Sequence, residues 1–196
     1  MIAEEDLGKY LEGIVIPYSH ARGFKFDGSL MMVGALARLN ISKENLNSKT
    51  KESAKEALKL FPSVNLFHNN LAQAIEILHS IDASIQIIVG ITEIKPEAPI
   101  KIIPKETIGI GVIEAPRGSL YYRLEINADG TVKKGEIIVP TGQNQIVIER
   151  AIYELVEDLL SKNTGQDKII VEVEKLIRAF DPCMSCAAHF LKVKWK

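Results

Sequence analysis

Two cysteines and a histidine near the end of the chain have the spacing of a metal or redox site. Cys183, Cys186 and His189 form a Cys-x-x-Cys-x-x-His pattern, and the sequence contains two cysteines in all. This spacing lets both sulfurs approach one metal ion from a single turn, and soft thiolates suit nickel, iron, zinc and copper. A zinc site would need two further ligands, and a redox pair would need none. The cysteine pair by itself leaves these alternatives open.

A second candidate is the segment Glu-Ala-Pro-Arg-Gly at residues 114–118, at the end of a predicted strand. Pro116 removes an amide donor, and Gly118 permits a tight turn that other residues adopt poorly. Arg117 is therefore expected on a stiff loop. Two interpretations remain, a β-turn with a surface arginine and a guanidinium aimed at a site.

The third candidate is the segment Val-Pro-Thr-Gly-Gln-Asn at residues 139–144, which follows another predicted strand. We expect a loop here. The hydroxyl of Thr141, which follows Pro140, would either cap the next helix or donate a hydrogen bond to a ligand.

The elements that must position these residues are predicted from periodicity. Residues 108–114, 120–126 and 131–139 have strand patterns, and a turn at 127–130 connects the last two. They predict a three-stranded antiparallel meander. Helical patterns cover residues 49–61, 65–89, 144–161 and 167–180.

Several boundaries and connections are also predicted. Pro62 should stop the first helix, Gly165 should cap the third, and Asp181-Pro182 should end the fourth. Residues 14–40 should be extended or irregular, with a hairpin near Asp27-Gly28, and residues 91–107 should be a surface connection. The apolar positions expected to face the core from the second helix are Leu71, Ala74, Ile75, Leu78 and Ile81.

Composition limits the class of protein. The chain has 196 residues, 46% hydrophobic and 25% charged, and a net charge of −1. This predicts one α+β domain over residues 1–196 and gives no electrostatic case for nucleic acid binding. The apolar stretches are short and interrupted, so we expect no transmembrane segment. The acidic start lacks the features of a signal peptide, which favours a cytoplasmic protein.

The three candidate segments occur in the order seen in [NiFe] hydrogenase large subunits, which the chain resembles over most of its length. Ser-His-Ala-Arg at residues 19–22 and Val-Gly-Ala-Leu-Ala-Arg-Leu-Asn at 33–40 extend the match. The second of these is similar to the cytosolic, cofactor-coupled types: the NAD(P)-linked, sulfur-reducing and deazaflavin-reducing hydrogenases. The resemblance is to the C-terminal half of that subunit and implies part of its fold.

This resemblance implies roles for the metal-facing residues. Cys183 would be a terminal nickel thiolate, and Cys186 would bridge nickel and iron in a Ni–Fe centre. Arg117 would lie above the metals, where it acts as a base or polarises bound hydrogen. A nearby cation favours the charge separation that accompanies splitting of the hydrogen molecule.

It implies a surrounding pocket as well. Pro116 and Leu120 would form an apolar wall around the CO and cyanide ligands of the iron. Thr141, after Pro140, would donate a hydrogen bond to a cyanide. His189 would help to hold a magnesium ion.

The resemblance also implies partners, because the family's first half carries another Cys-x-x-Cys and a proton-relay glutamate that this chain lacks. With two cysteines, one copy cannot supply four thiolates. We favour a subunit divided over two genes, so that an N-terminal segment brings the other thiolates and an iron–sulfur small subunit carries electrons. The alternatives are a truncated remnant, a cofactor-free structural or assembly relative, and a protein with a structural zinc site at the cysteines.

The resemblance further implies processing at the C-terminal end. Family precursors lose a C-terminal extension near the histidine that corresponds to His189, and here seven residues follow it.

Overall fold

The computed structural model describes residues 3–94 and 96–187. It has the predicted α+β architecture, with helices and two small antiparallel sheets packed around apolar clusters. In chain order the elements are α1 (Glu4–Tyr10), β1 (Leu11–Ile14), β2 (Gly23–Phe26), α2 (Ala35–Ser42), a 3-10 turn (Lys43–Asn45), α3 (Ser48–Ser53), α4 (Lys55–Leu58), α5 (His68–Gly90), β3 (Thr107–Ala115), β4 (Gly118–Ile126), β5 (Val132–Ile138), α6 (Pro140–Ser161) and α7 (Gln166–Phe180).

The predicted meander is confirmed. Strands β3, β4 and β5 pair antiparallel in that order, and the first hairpin closes on the pair Ala115 and Gly118. Its loop is therefore only two residues long. The predicted turn between β4 and β5 is also present, because the N–H of Asn127 donates to the carbonyl of Thr131 at 2.8 Å. The sheet thus holds Arg117 at the tip of its first hairpin.

The segment 14–40 contains a tight turn at Asp27-Gly28, closed by an isolated bridge between Phe26 and Ser29, but the paired strands β1 and β2 are joined through residues 15–22. It also contains an unexpected helix. Asp27 and Gly28 both have positive φ, 49° and 73°, as a two-residue hairpin turn requires. The prediction of extended structure is wrong from residue 35 onward, where α2 begins. Ala35, Leu36 and Leu39 are buried against Ala72 and Ile75 of α5. This burial stabilises a helix whose preceding glycines obscured it in the sequence.

The pattern predicted as one helix over residues 49–61 forms two short helices, α3 and α4. Ala54 lies between them with φ −98° and ψ 12°, outside the helical range. The chain leaves helical structure after Leu58, before Pro62, which agrees with the expected stop.

The long helix α5 is confirmed, but the face it buries differs from the prediction. Of the five apolar positions expected in the core, Ile75 alone is buried, and Ala74 and Ile81 are exposed. The buried residues of α5 are Asn69, Ala72, Ile75 and Asp82. Two polar residues take core positions because each has partners there: Asn69 bonds α2 and α7, and Asp82 accepts from Thr50.

Helix α5 is also long and apolar enough to cross a membrane by length and composition, which differs from our expectation of no such segment. Length and composition are the only grounds for this similarity to a membrane span. Within the fold, α5 contributes Ala72 and Ile75 to an apolar cluster with α2. It carries two charged residues, Glu76 and Asp82, which interrupted the apolar run in the sequence.

The remaining segments differ mainly at helix ends. The predicted connection is exposed and lacks regular structure up to Glu106 over its described residues. The prediction that Gly165 caps the third long helix is wrong. Asn163 takes the left-handed conformation after α6, with φ 54°, whereas Gly165 has φ −66° and precedes α7. Asparagine tolerates the left-handed conformation, so Asn163 ends α6 in place of the glycine two residues later.

Candidate metal centre

The two cysteines lie on a tight turn directly after α7. The backbone N–H groups of Cys186 and Ala187 both donate to the carbonyl of Cys183, at 3.3 Å. The cysteine Cα atoms are 5.4 Å apart and the sulfurs are paired as a disulfide. Both sulfurs therefore lie on one side of the turn. The two cysteines are adjacent in the fold, as their spacing predicted.

Residues before the turn fix its direction. Helix α7 ends at Phe180, which is buried with Ala179. Asp181 then adopts a left-handed conformation, with φ 48° and ψ 56°. Pro182 follows and excludes further helix. The helix thus ends where the Asp-Pro pair predicted, although Asp181 is left-handed and not in the extended conformation that is usual before proline.

Two hydroxyl groups from distant segments anchor the turn. Thr141 accepts a hydrogen bond from the backbone N–H of Cys183, at 3.0 Å. Ser19 donates to the carbonyl of Ala187 at 2.6 Å and accepts from the N–H of Ala21 at 3.1 Å. Both ends of the cysteine turn are therefore held by side chains outside α7.

The placement of Thr141 corrects an expectation. The segment after β5 is not a loop, because α6 begins at Pro140 and Thr141 lies in its first turn, 3% exposed. Its hydroxyl does not cap α6 but accepts from Cys183. Gly142 makes this possible, since a Cβ there would lie 2.7 Å from the carbonyl oxygen of Arg22. The first turn of α6 is thereby pressed against the segment that carries Ser19.

The same segment bonds α6 further along. The hydroxyl of Tyr18 donates to the carboxylate of Glu149. Partial burial, and then this carboxylate, raise the pKa of Tyr18 to about 12. The phenol remains a neutral donor near pH 7 and keeps the segment attached to α6.

The guanidinium of Arg117 reaches the start of the cysteine turn. Its Nε donates to the backbone carbonyl of Asp181 at 2.8 Å, and its Nη2 lies 3.3 Å from Oδ1 of the same residue. The second carboxylate oxygen is 3.1 Å from Nε. Gln73 of α5 donates to that oxygen at 3.0 Å. Arg117, whose side chain is 39% exposed, is thus bonded to the residue that lies two positions before the first cysteine.

The other predicted site residues that the structure describes lie on the hairpin and at the start of α6. Pro116 is exposed at the hairpin tip, and Leu120 is partly buried on β4. Pro140 is partly buried at the first position of α6. His189 lies outside the described residues. The structure thus brings Arg117, Thr141 and the cysteines together through Asp181 and the Cys183 amide.

Sequence reasoning missed the supporting residues. The sequence predicts a helix end at Asp181 but not its pairing with Arg117, and Gln73 carries no signal. Ser19 belonged to a recognised motif without a role. These contacts join residues 64 to 168 positions apart, which no local pattern reveals.

The donor set fits half of a thiolate-rich metal centre. Across residues 3–94 and 96–187, no cluster of three or more His, Cys, Asp or Glu side chains could hold a metal ion. The cysteines supply two soft donors, and Cys186 is exposed. His68 and His79 are engaged elsewhere, with Ser63 and the N–H of Asn47. Completion of a four-thiolate site therefore requires donors from outside this chain.

An apolar groove adjoins the candidate centre. It has a volume of about 1060 Å³ and runs along α5 to the hairpin tip. Pro116, Gln73 and Asp181 line it where it approaches the cysteine turn. The α5 residues along its length include four isoleucines that are 48–68% exposed: Ile77, Ile81, Ile85 and Ile88. Polar residues of α5 line it as well: Glu76, His79, Ser80 and Ser84.

Comparison with known proteins identifies the relatives of this chain. The sequence profile of the family described as nickel-dependent hydrogenase matches residues 12–189. Sulfhydrogenase 1 subunit alpha of Pyrococcus furiosus is 33% identical, over 94% of this chain and 42% of the relative. NAD-reducing hydrogenase HoxS subunit beta of Cupriavidus necator is 32% identical, over 81% of this chain and 34% of the relative.

Solved structures agree with these relatives. The crystal structure of an NAD+-reducing [NiFe]-hydrogenase in the H2-reduced state matches with a TM-score of 0.72 and 26% identity, over 95% of this chain and 43% of that chain. A reduced, active Ni-Fe-Se hydrogenase from Desulfomicrobium baculatum shares the fold, with a TM-score of 0.55 and 20% identity, over 84% of this chain and 36% of that chain. The chain spans less than half the length of the relatives it matches.

Proposed function

The chain belongs to the nickel-dependent hydrogenase family, and on that premise we propose that it acts as the C-terminal part of a [NiFe] hydrogenase large subunit in the reversible oxidation of hydrogen to protons and electrons. The observation that carries this proposal is the cysteine turn. Its two sulfurs are paired, Thr141 accepts from the backbone N–H of Cys183, and the guanidinium of Arg117 is bonded to Asp181, two residues before that cysteine. Residues 1–196 form one domain of that subunit.

Cys183 and Cys186 would hold the Ni–Fe centre through their thiolates. When bound, the centre would supply electron-rich metals that promote the heterolytic cleavage of hydrogen. Pro116 and Leu120 would wall the CO and cyanide ligands. Thr141 would offer its hydroxyl hydrogen to a cyanide, because its oxygen already accepts from the Cys183 amide.

Arg117 would supply a fixed positive charge, and its nitrogens are the atoms at which a proton is held or polarised. Its attachment to Asp181 through a backbone carbonyl and both carboxylate oxygens keeps the planar group oriented. An oriented cation stabilises developing negative charge without reorganisation at the moment of reaction. Pro140 fixes the start of α6, and His189 would help to hold magnesium.

The remaining thiolates would come from a separate N-terminal segment with the other Cys-x-x-Cys. The apolar groove supports this, since it exposes four isoleucines and ends at Pro116 and Asp181, beside the candidate centre. A surface of this kind marks a permanent interface. An iron–sulfur small subunit would carry the electrons, and the assembly would be cytoplasmic.

Metal analysis tests the proposal. The full chain is co-produced with the complementary segment and the maturation proteins, and nickel and iron per chain are measured. Cys183→Ser and Cys186→Ser should each lower bound nickel at least about tenfold, because even outer-shell changes cost that much affinity. Met184→Ala, at an exposed residue between them, should leave it unchanged. Full nickel and iron in a cysteine variant, or zinc in place of both in the unaltered chain, would overturn the proposal.

A further inference from the structure

The side chain of Arg38, in α2, connects two elements through hydrogen bonds: the hairpin that carries Arg117, and helix α5. On one side, its Nε and Nη2 donate to the two carboxylate oxygens of Glu76, both at 2.7 Å. This is a bidentate pair between partly buried groups, with the side chains 24% and 22% exposed. The pair with Glu76 raises the pKa of Arg38 above its usual value, so the guanidinium is permanently charged.

On its other side, the same guanidinium bonds the three residues that precede Arg117. Nη1 donates to the carboxylate of Glu114 at 2.7 Å and to the carbonyl of Ala115 at 3.0 Å. Nη2 donates to the carbonyl of Pro116 at 2.9 Å. With the two bonds to Glu76, these use all five N–H donors of the guanidinium.

The beginning of α2 contacts the same hairpin tip. A Cβ on Gly34 would lie 3.1 Å from the carbonyl oxygen of Arg117, and a Cβ on Gly118 would lie 2.4 Å from Val33. The N–H of Arg38 donates to the carbonyl of Gly34, so these two residues lie one helical turn apart on the same face. The tip is therefore held by backbone packing at residue 34 and by the guanidinium at residue 38.

We propose that Arg38 is a positioning residue for Arg117, which fixes the hairpin tip through the carbonyls of Ala115 and Pro116 and so aims the second guanidinium at the cysteine turn. A two-residue loop has few contacts of its own. Arg38 provides those contacts by connecting the loop to α5, whose Gln73 orients the carboxylate that Arg117 binds. The functional meaning of this role rests on the proposed function.

The planar fork of arginine is essential to this role. One edge donates to the carboxylate of Glu76, and the other donates to a second carboxylate and two backbone carbonyls. The point charge of lysine cannot reproduce this pattern. Arg38→Lys should therefore behave like Arg38→Met, although it preserves the charge. Arg150→Lys is a matched control, because Arg150 pairs with Glu154 on the exposed face of α6.

Hydrogen exchange of the Arg117 Nε–H tests the proposal in the full chain labelled with 15N-arginine, with the NMR signal assigned from its loss in Arg117→Lys. In Arg38→Lys and Arg38→Met, this proton should exchange at least about fivefold faster, the factor that corresponds to the loss of one typical hydrogen bond. The amides of residues 115–118 should follow it. Amides in the interiors of α6 and α7 should keep their protection, and Arg150→Lys should change none of these rates.

Three outcomes would overturn the proposal. The first is an unchanged exchange rate of the Arg117 Nε–H in both Arg38 variants. The second is an equal loss of protection throughout the chain. The third is an Arg117 Nε–H that already exchanges without protection in the unaltered protein. The measurement needs no metal and no hydrogen oxidation. Its failure is therefore distinguishable from a failure of the proposed function.

Discussion

At the scale of single residues, the candidate centre depends on side chains that position other groups. The hydroxyl of Thr141 accepts a hydrogen bond from the backbone N–H of Cys183. The carboxylate of Asp181 accepts hydrogen bonds from Arg117 and Gln73. Thr141 restricts the position of the cysteine turn, and Asp181 restricts the orientation of the Arg117 guanidinium. Site geometry of this kind is precise because the supporting residues are themselves buried or bonded.

Thr141→Val tests the contribution of that hydroxyl. Valine keeps the side-chain shape in a site where threonine is 3% exposed, but it leaves the amide of Cys183 without its acceptor. We expect a loss of about 1 kcal/mol in the free energy of unfolding, measured by urea denaturation. Thr141→Ser, which retains the oxygen, should lose less. If the valine variant were as stable as the unaltered chain, the hydroxyl would not anchor the turn.

At the scale of elements, the hairpin between β3 and β4 is shaped by its contact with α2. Gly118 has φ +133°, a conformation that side chains rarely adopt, and it packs against Val33. Asn144 of α6 fixes Val33 by bonding both its N–H and its carbonyl, at 2.8 and 2.9 Å. Gln143 bonds the carbonyl of Ser119 in the same region. Helices α2 and α6 thus hold the hairpin from two directions.

Gly118→Ala should destabilise the chain strongly, whereas Gly109→Ala should not. At Gly118 a methyl group would meet Val33 at 2.4 Å and require a strained φ. Together these cost about 3 kcal/mol in the free energy of unfolding. At Gly109, on the same hairpin, a Cβ has nothing within 4 Å. Chemical denaturation of both variants gives the comparison, and equal stability would contradict the close packing described here.

At the scale of the whole molecule, apolar side chains remain exposed on α5 and on the connection that follows it. The groove side of α5 exposes isoleucines, and the connection that follows exposes Ile94, Ile100 and Ile102 at 83–90%. Large apolar side chains in this arrangement are typical of a chain whose core is completed by a partner. The chain covers 42% of the length of its Pyrococcus furiosus relative, and the proposed N-terminal segment would contact this surface.

The double variant Ile81→Lys with Ile85→Lys tests which face binds the complementary segment. Both residues are about half exposed and line the groove. Charges there should weaken binding by at least about 2 kcal/mol, as expected for central interface positions. Val64→Lys is the control, at a loop residue that is 98% exposed. Titration of the segment into each variant measures the difference, and unaltered binding by the double variant would place the interface elsewhere.

The sequence by itself determined the meander, the long helices, the Asp-Pro turn and the residue types that can bind metal. These follow from periodicity, turn chemistry and spacing, all of which act over a few residues. The tertiary structure alone decided that α2 is a helix, that α5 buries Asn69 and Asp82, and that Thr141 lies in the first turn of α6. It also decided that Arg38, Arg117 and Asp181 form a connected group. These depend on which distant partner satisfies each polar group on burial, and hydrogen bonds across 64 to 111 residues leave no local pattern.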